Sequence, residues 1–257
     1  MRSYMQRISE KNTRIWRMKE QNIDNLTSLW RLASGPFGAY RKSGSFNIVE
    51  LAFSEWPNRI WLDGDDGNFS AKAIKNTLRQ CPAKLTFTKF NAIACDEHQE
   101  ANDLGLILKS VQTGMSLNLQ NYKAQPLNSS LILDKVNNEE KAAVWSDVFR
   151  PCFNYFISPR IVEAIKDEVA YYLLRDKLNT VGCAATFIKD NQIGIHSLGV
   201  LDSYRKKGFA EAAMHIILQE AKNNGLVNAH LQASMFGFGI YKRIGFVELF
   251  KMCNYRI

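Results

Sequence analysis

The 257-residue sequence is poor in the residues that staple or break a chain. It holds five cysteines, six prolines and four histidines. The cysteines (Cys81, Cys95, Cys152, Cys183, Cys253) are an odd set with no C-x-x-C pair. That argues against a disulfide framework or a zinc knuckle, and for free thiols in a reducing, cytoplasmic compartment. No apolar stretch approaches the ~18 residues that a spanning helix needs. The opening MRSYMQRISEKNTRIW has no apolar core of a secretory signal. No five like charges run together. The formal charge of +8 is spread, +5 over residues 1–127 and +3 over 128–257. A diffuse positive field suits small anions such as phosphates better than nucleic acid, which calls for a clustered patch.

What is present is an ordinary globular mix, 46% hydrophobic and 23% charged. Its length suits one large domain or two small ones. Residues 3–33 read as a helix, with Ile8, Ile15, Trp16, Met18, Ile23 and Leu26 on its apolar stripe. Strands are predicted over 46–53, 59–62, 84–90 and 106–119. A turn falls at 63–67, and helices are predicted over 70–80 and 96–104. The polar stretch 123–130 reads as a linker. Beyond it the order is α-α-β-β-β-α-β-α-β. The first of these helices, 138–156, should kink or split at Pro151. The pattern predicts an α/β protein with residues 1–122 and 131–257 as two units.

The sharpest local feature is Val200-Leu201-Asp202-Ser203-Tyr204-Arg205-Lys206-Lys207-Gly208-Phe209-Ala210. A strand ends, a polar turn follows, and a long helix opens at a glycine. A helix N-terminus offers unpaired N–H groups and partial positive charge, a ready seat for phosphate. Gly208 lets a ligand approach the backbone. Alone, R-x-x-G-x-A is a weak motif. A second motif follows the next strand: Ala233, Ser234, Gly237, Ile240, Tyr241, Arg243, Ile244, Gly245 and Phe246, in fixed order.

With both motifs in place, residues 131–257 resemble the GNAT superfamily of N-acetyltransferases. The resemblance implies a mixed, mostly antiparallel and splayed central sheet flanked by helices, with a smaller α/β domain N-terminal to it. It implies acetyl-CoA as donor and direct transfer to an amine. The diphosphate would rest on Arg205, Lys206, Lys207, Gly208, Phe209 and Ala210, with Ser234 nearby. The pantetheine arm would pair with Leu198, Gly199 and Val200. Tyr241 matches the position of the acid that reprotonates the leaving thiolate. Leu201 departs from the polar residue many members place before the turn.

His196 is the candidate base. Even spacing along a regular strand would put it on one face with Leu198 and Val200, and free imidazole titrates near 6.5. Glu168, Asp202 and a water relay are alternatives. His98, His215, His230 and Cys183 read as structural, and no metal site is expected. The runs 102–109 and 243–250 both read as helix, glycine stop and strand. They hint that the first half is a degenerate copy of the second. A non-catalytic coenzyme A-binding sensor or assembly module is the alternative function. The amine acceptor, and whether the chain is a monomer or homodimer, stay open.

Overall fold

The computed structural model describes residues 4–63, 70–125 and 130–257, with side chains from residue 13 onward. The turn expected at 63–67 and the centre of the expected linker fall largely outside this set. In chain order the elements are α1 (Tyr4–Ser34), β1 (Tyr40–Ser43), β2 (Phe46–Val49), β3 (Arg59–Leu62), α2 (Ala71–Gln80), β4 (Thr86–Asn91), α3 (Glu97–Leu104) and β5 (Ile107–Asn118). Then come β6 (Leu131–Lys135), α4 (Glu139–Phe153), α5 (Pro159–Ala164), β7 (Val169–Asp176), β8 (Asn179–Lys189), β9 (Gln192–Val200), α6 (Phe209–Asn223), β10 (Asn228–Ala233), α7 (Phe238–Ile244) and β11 (Val247–Arg256).

All eleven strands join one sheet, in the order β1-β2-β3-β4-β11-β5-β10-β9-β8-β7-β6. The pairings are antiparallel except β3 with β4 and β9 with β10. The series β3-α2-β4-α3-β5 repeats as β9-α6-β10-α7-β11, and each series contains one parallel pair. The last strand of each series crosses over. β11 lies between β4 and β5, and β5 lies between β11 and β10. The sheet therefore runs unbroken across the 123–130 boundary.

Helices cover both faces. On one face α6 buries Ala213, Met214, Ile217, Leu218 and Ala221, an i, i+3, i+4 stripe, against a core that includes Val181, Ile195 and Leu231. On the opposite face lie α4, α5 and α1. Here Trp145, Phe149 and Tyr171 pack with Cys183 and Ala185.

Three details differ from the sequence reading. Ile15 and Trp16 are exposed, whereas Met18 and Leu26 of the expected stripe are buried; α1 also buries Asn22, Asn25, Leu29, Trp30 and Ala33, and the Ile8 side chain lies outside the described residues. α4 passes through Pro151 as one helix and ends at Asn154, which caps it in the left-handed conformation. Pro151 sits in the final turn, so the backbone bond it removes lies at the end of the helix rather than in its middle. The short edge strands β1 and β6 were not foreseen. Each has few buried side chains and hence no clear alternation.

Candidate active site

β9 and β10 pair only at Asn228–Gln192, Ala229–Ile193 and His230–Gly194. Beyond this they separate, and the edge of β9 from Ile195 to Val200 faces a gap. On its other side β9 stays bonded to β8, as Gly182↔Val200 and Cys183↔Gly199. The Leu201 N–H donates to the Val181 carbonyl at 2.9 Å. Antiparallel alternation then turns the Val200 N–H away from β8, into the gap. Small residues hold the strands this close. A Cβ at Gly182 would stand 2.1 Å from the Gly199 carbonyl oxygen, and one at Gly199 would strike Phe153 and Cys152.

The register between β8 and β9 shifts at one point. Ala185 pairs with His196, but Cys183 pairs with Gly199, so β9 spends an extra residue. Ser197 takes up this bulge at φ +53. The bulge overturns the expected shared face of His196, Leu198 and Val200. Leu198 and Val200 pack with the α6 core, whereas His196 points to the α1 face and meets Asn25.

His196 Nε2 lies 3.1 Å from Asn25 Oδ1. The Asn25 amide nitrogen donates to the Phe187 carbonyl at 3.1 Å, which fixes the orientation of the amide. Nε2 must therefore carry the proton, leaving the lone pair on Nδ1. Burial under α1 lowers the His196 pKa to about 4, well below the free imidazole on which the sequence reading relied. His230, on the neighbouring strand, is fully buried. Its Nε2 faces Gln192 Oε1 at 3.2 Å and its Nδ1 faces Ser116 Oγ at 2.7 Å. Burial, with His196 beside it, pushes its pKa to about 3. Both imidazoles are neutral at pH 7.

Past Val200 the chain makes a single 3-10 turn, Asp202–Tyr204, and reaches α6. Arg205 braces this corner. Its Nε donates to the Val200 carbonyl at 3.2 Å, and its guanidinium pairs with Asp202 at 2.8 Å. The Arg205 side chain is thus committed to the turn, and Asp202 is spent as its ion pair. Lys206 is left-handed at φ +63, and Gly208, the N-cap, lies at φ +82. No side chain caps the helix. Its first bond runs from the Ala212 N–H to the Gly208 carbonyl, so the preceding N–H groups have no partner within the helix. A Cβ on Gly208 would meet nothing within 4 Å. Lys207 Nζ lies 5.1 Å from the centre of the Tyr204 ring.

Tyr241 stands on α7 and, like Leu198, Phe209 and Ala210, packs against the buried core on the α6 face. Its ring presses on the Gly237 backbone, where a Cβ would lie 2.8 Å from Cε2. The Tyr241 hydroxyl makes no hydrogen bond among the described residues, and burial raises its pKa to about 12. Ser234 is exposed at the end of β10. Its carbonyl accepts from the Gly237 and Phe238 N–H groups at 3.1 and 3.0 Å. Glu168 is exposed at the start of β7, outside this constellation.

The structure thus gathers Leu198, Val200, Phe209, Ala210 and Tyr241 on one side of the gap and leaves His196 on the other. Asn25 was missed. Its only signal was an asparagine within the apolar stripe of α1. Among the described residues no group of three or more His, Cys, Asp or Glu converges as a metal cluster would. A cavity of about 320 Å³ beside Arg41 and Glu50 lies at the far edge of the sheet and includes none of these residues.

A mostly antiparallel sheet that opens between two parallel strands, with an uncapped helix N-terminus at its mouth, is the GNAT-like fold that the sequence resemblance implied. Residues 134–254, just under half of the chain, match the family described as Acetyltransferase (GNAT) domain. No curated protein matches by sequence. Among solved structures, a GCN5-related N-acetyltransferase from Kribbella flavida superposes with a TM-score of 0.63 at 16% identity, covering 88% of this chain and 94% of its own. A GCN5-related N-acetyltransferase from Sphaerobacter thermophilus gives 0.58 at 14% identity, covering 83% of this chain and 76% of its own. A functionally unknown conserved protein from Staphylococcus epidermidis gives 0.60 at 13% identity, covering 84% and 93%. These likenesses speak for the fold, and they extend into the N-terminal half. No helix among the described residues is long and apolar enough to cross a membrane.

Proposed function

We propose that the protein is an N-acetyltransferase that moves an acetyl group from acetyl-CoA to an amine by direct attack in a ternary complex. The observation that carries this reading is the gap between β9 and β10, which opens past His230–Gly194 onto the uncapped N-terminus of α6. In this reading the N–H groups from Lys206 to Ala210 hold the diphosphate. The role of Arg205 is then to fix the turn through its side chain. The free edge of β9 from Leu198 to Val200 pairs with the pantetheine arm, as an added strand would. The open space over Gly208 is what such a ligand requires.

Chemistry follows from the two sides of the gap. A primary amine near pKa 10 is largely protonated at pH 7 and must lose a proton to attack. His196, neutral and with its lone pair on Nδ1, accepts a proton from the acceptor side, directly or through water. The Val200 N–H, turned into the gap, stabilises the oxyanion formed on attack. Tyr241 donates its proton to the departing thiolate. A phenol held near pKa 12 stays protonated at working pH, as a donor must.

The repeated β-α-β-α-β series supports a further reading, that residues 1–122 are a degenerate duplicate of the GNAT half. α3 and α7 both end at left-handed glycines, Gly105 and Gly245. An acceptor screen following thiol release from acetyl-CoA tests the activity. Coenzyme binding with no release on any amine would favour a sensor or assembly module instead.

A further inference from the structure

On the α1 face, away from the diphosphate cradle, two cations stand together without a carboxylate. Arg59, at the start of β3, stacks over the Trp30 ring with Cζ 4.0 Å from its centre. It donates from Nε to the Pro57 carbonyl at 3.0 Å and from one terminal nitrogen to Thr88 Oγ1 at 3.5 Å. A guanidinium has five N–H donors, so most of its capacity is unspent. Lys109 is the extra residue of a bulge in β5, where Asn254 pairs with Ser110 and Tyr255 with Leu108. The bulge swings its ammonium over β11 to Thr86 Oγ1 at 3.4 Å. Neither cation forms an ion pair among the described residues. Burial lowers both pKa values, that of Arg59 to about 10, and the charges of Arg59 and then Arg256 add to the fall at Lys109. Glu55 is the one acid whose field reaches Lys109, and its carboxylate already accepts the Phe156 N–H at 2.6 Å.

Arg59 is half-buried over Trp30 and Lys109 is exposed beside it, so an anion from solvent can reach both and relieve their mutual repulsion. The threonine hydroxyls between them add polar partners without charge. Two separate hydrogen-bonded stretches lie between this spot and β10. Thr88 Oγ1 donates to Asn254 Oδ1 at 2.8 Å, and Asn254 Nδ2 donates to Ser110 Oγ at 3.2 Å. Two residues along β5, Gln112 reaches the Gln232 carbonyl at 3.2 Å, at the mouth of β10. α1 links the same two places, because Asn25 holds His196 and Trp30 carries Arg59.

We propose that Arg59 and Lys109 form an anion-binding site on the acceptor side of the gap, and that its ligand is a carboxylate or phosphate group. The group belongs either to the acceptor amine itself or to a separate small anion. The first assignment rests on the transferase reading above; the site itself does not. Arg59 offers a planar fork that matches a carboxylate, and Lys109 supplies the second point charge.

The probe is succinate, titrated calorimetrically into the full-length protein at constant ionic strength. Wild type should bind it. Arg59→Met and Lys109→Met should each weaken binding at least tenfold, and Gly208→Val should leave it unchanged. Lys109 is exposed, so its variant tests the site even if the Arg59 variant unfolds. Equal succinate binding by wild type and Lys109→Met, or none by wild type, overturns the proposal. Paired acceptors then separate the sources, each amino acid against its carboxamide. A tenfold preference for the acid that Lys109→Met erases assigns the site to the acceptor. Succinate binding that the variants lose, with no such preference, assigns it to a separate anion. Loss of succinate binding in the variants of a protein that acetylates no amine upholds the site and removes the transferase reading.

Discussion

Asn25 and His196 are 171 positions apart in sequence, and their side chains meet at 3.1 Å. A residue of the N-terminal helix thereby sets the tautomer of an imidazole on the strand that borders the gap. Asn25 is a positioning residue in this account. Asn25→Leu should lower kcat with little change in the KM for acetyl-CoA, because nothing on the α6 face moves. His196→Gln should cost more, about 10²-fold in kcat, within the usual range for a positioned acid or base. The pH profile discriminates. With wild type the acid limb assigned to His196 should lie near pH 4. In Asn25→Leu the ring loses its fixed tautomer, and the limb should move. Variants that keep wild-type kcat at every pH would remove His196 from the mechanism.

Tyr241→Phe removes only the hydroxyl and keeps the ring packed against Phe246, 5.9 Å away between centroids. Proton donation to the thiolate is lost, so kcat should fall about 10²-fold while acetyl-CoA affinity holds. Rapid-mixing kinetics and equilibrium titration with coenzyme A separate the two. Full activity in the phenylalanine variant would mean that water or another group protonates the thiolate.

Gly237→Ala reaches the same tyrosine by another route. Gly237 sits at φ −86, a conformation any residue adopts. The nearest atoms that a methyl group there would meet belong to the Tyr241 ring, 2.8 Å away. The ring must shift and carry its hydroxyl with it. We expect kcat to fall about tenfold or more, since a misplacement near 1 Å is costly at a reacting centre. Thermal stability should change by only about 1 kcal/mol, in line with mild overpacking. A variant with lower stability but normal kcat would show that the ring position is unimportant.

Gly208→Val acts on the cradle. At φ +82 a β-branched residue is strained, and its methyl groups enter the space over the helix N-terminus. The KM for acetyl-CoA should rise at least tenfold, with coenzyme A binding weakened in parallel. Gly225, at φ +74 beyond the other end of α6, is the control. Gly225→Val should be destabilising for the same backbone reason but should leave the KM unchanged. Equal KM effects at both ends of the helix would count against a phosphate site at Gly208.

The C-terminal half was legible because its signals were local. Apolar periodicity located α6, a glycine marked each end of it, and strand–turn–helix order placed Arg205 to Ala210 at its N-terminus. Tyr241 came through a spaced motif that lies on one short helix. The placement of His196 failed because strand parity assumes an unbroken ladder. One residue, Ser197, breaks it, and nothing in SLGV announces a bulge. Asn25, Arg59 and Lys109 were illegible for another reason. Their meaning depends on contacts between distant segments, such as Arg59 with Trp30 and Lys109 with Thr86. The interleaving of β11 and β5 is of the same kind. Each strand pattern reads correctly alone, yet no local rule says that its neighbour comes from the other half.

The two neutral histidines also predict how stability depends on pH. In the unfolded chain both would titrate near 6.5, whereas burial holds His196 at about 4 and His230 at about 3. As pH falls below 6.5 the unfolded state takes up protons that the native state refuses. Stability is therefore fully present above that pH and is lost as pH falls toward 4. With both groups contributing, the slope should approach roughly 3 kcal/mol per pH unit around pH 5. Carboxylates held low by their partners, such as Glu100 and Glu97, add to the loss only nearer pH 4. Urea denaturation at half-unit steps from pH 7.5 to 4.5 measures this directly. His230→Asn, placed between Ser116 and Gln192, should remove about half of the slope between pH 6 and 5. A stability that stays flat from pH 6.5 to 5 would mean that these imidazoles are hydrated in solution, and that α1 does not seal the face of the sheet where His196 lies.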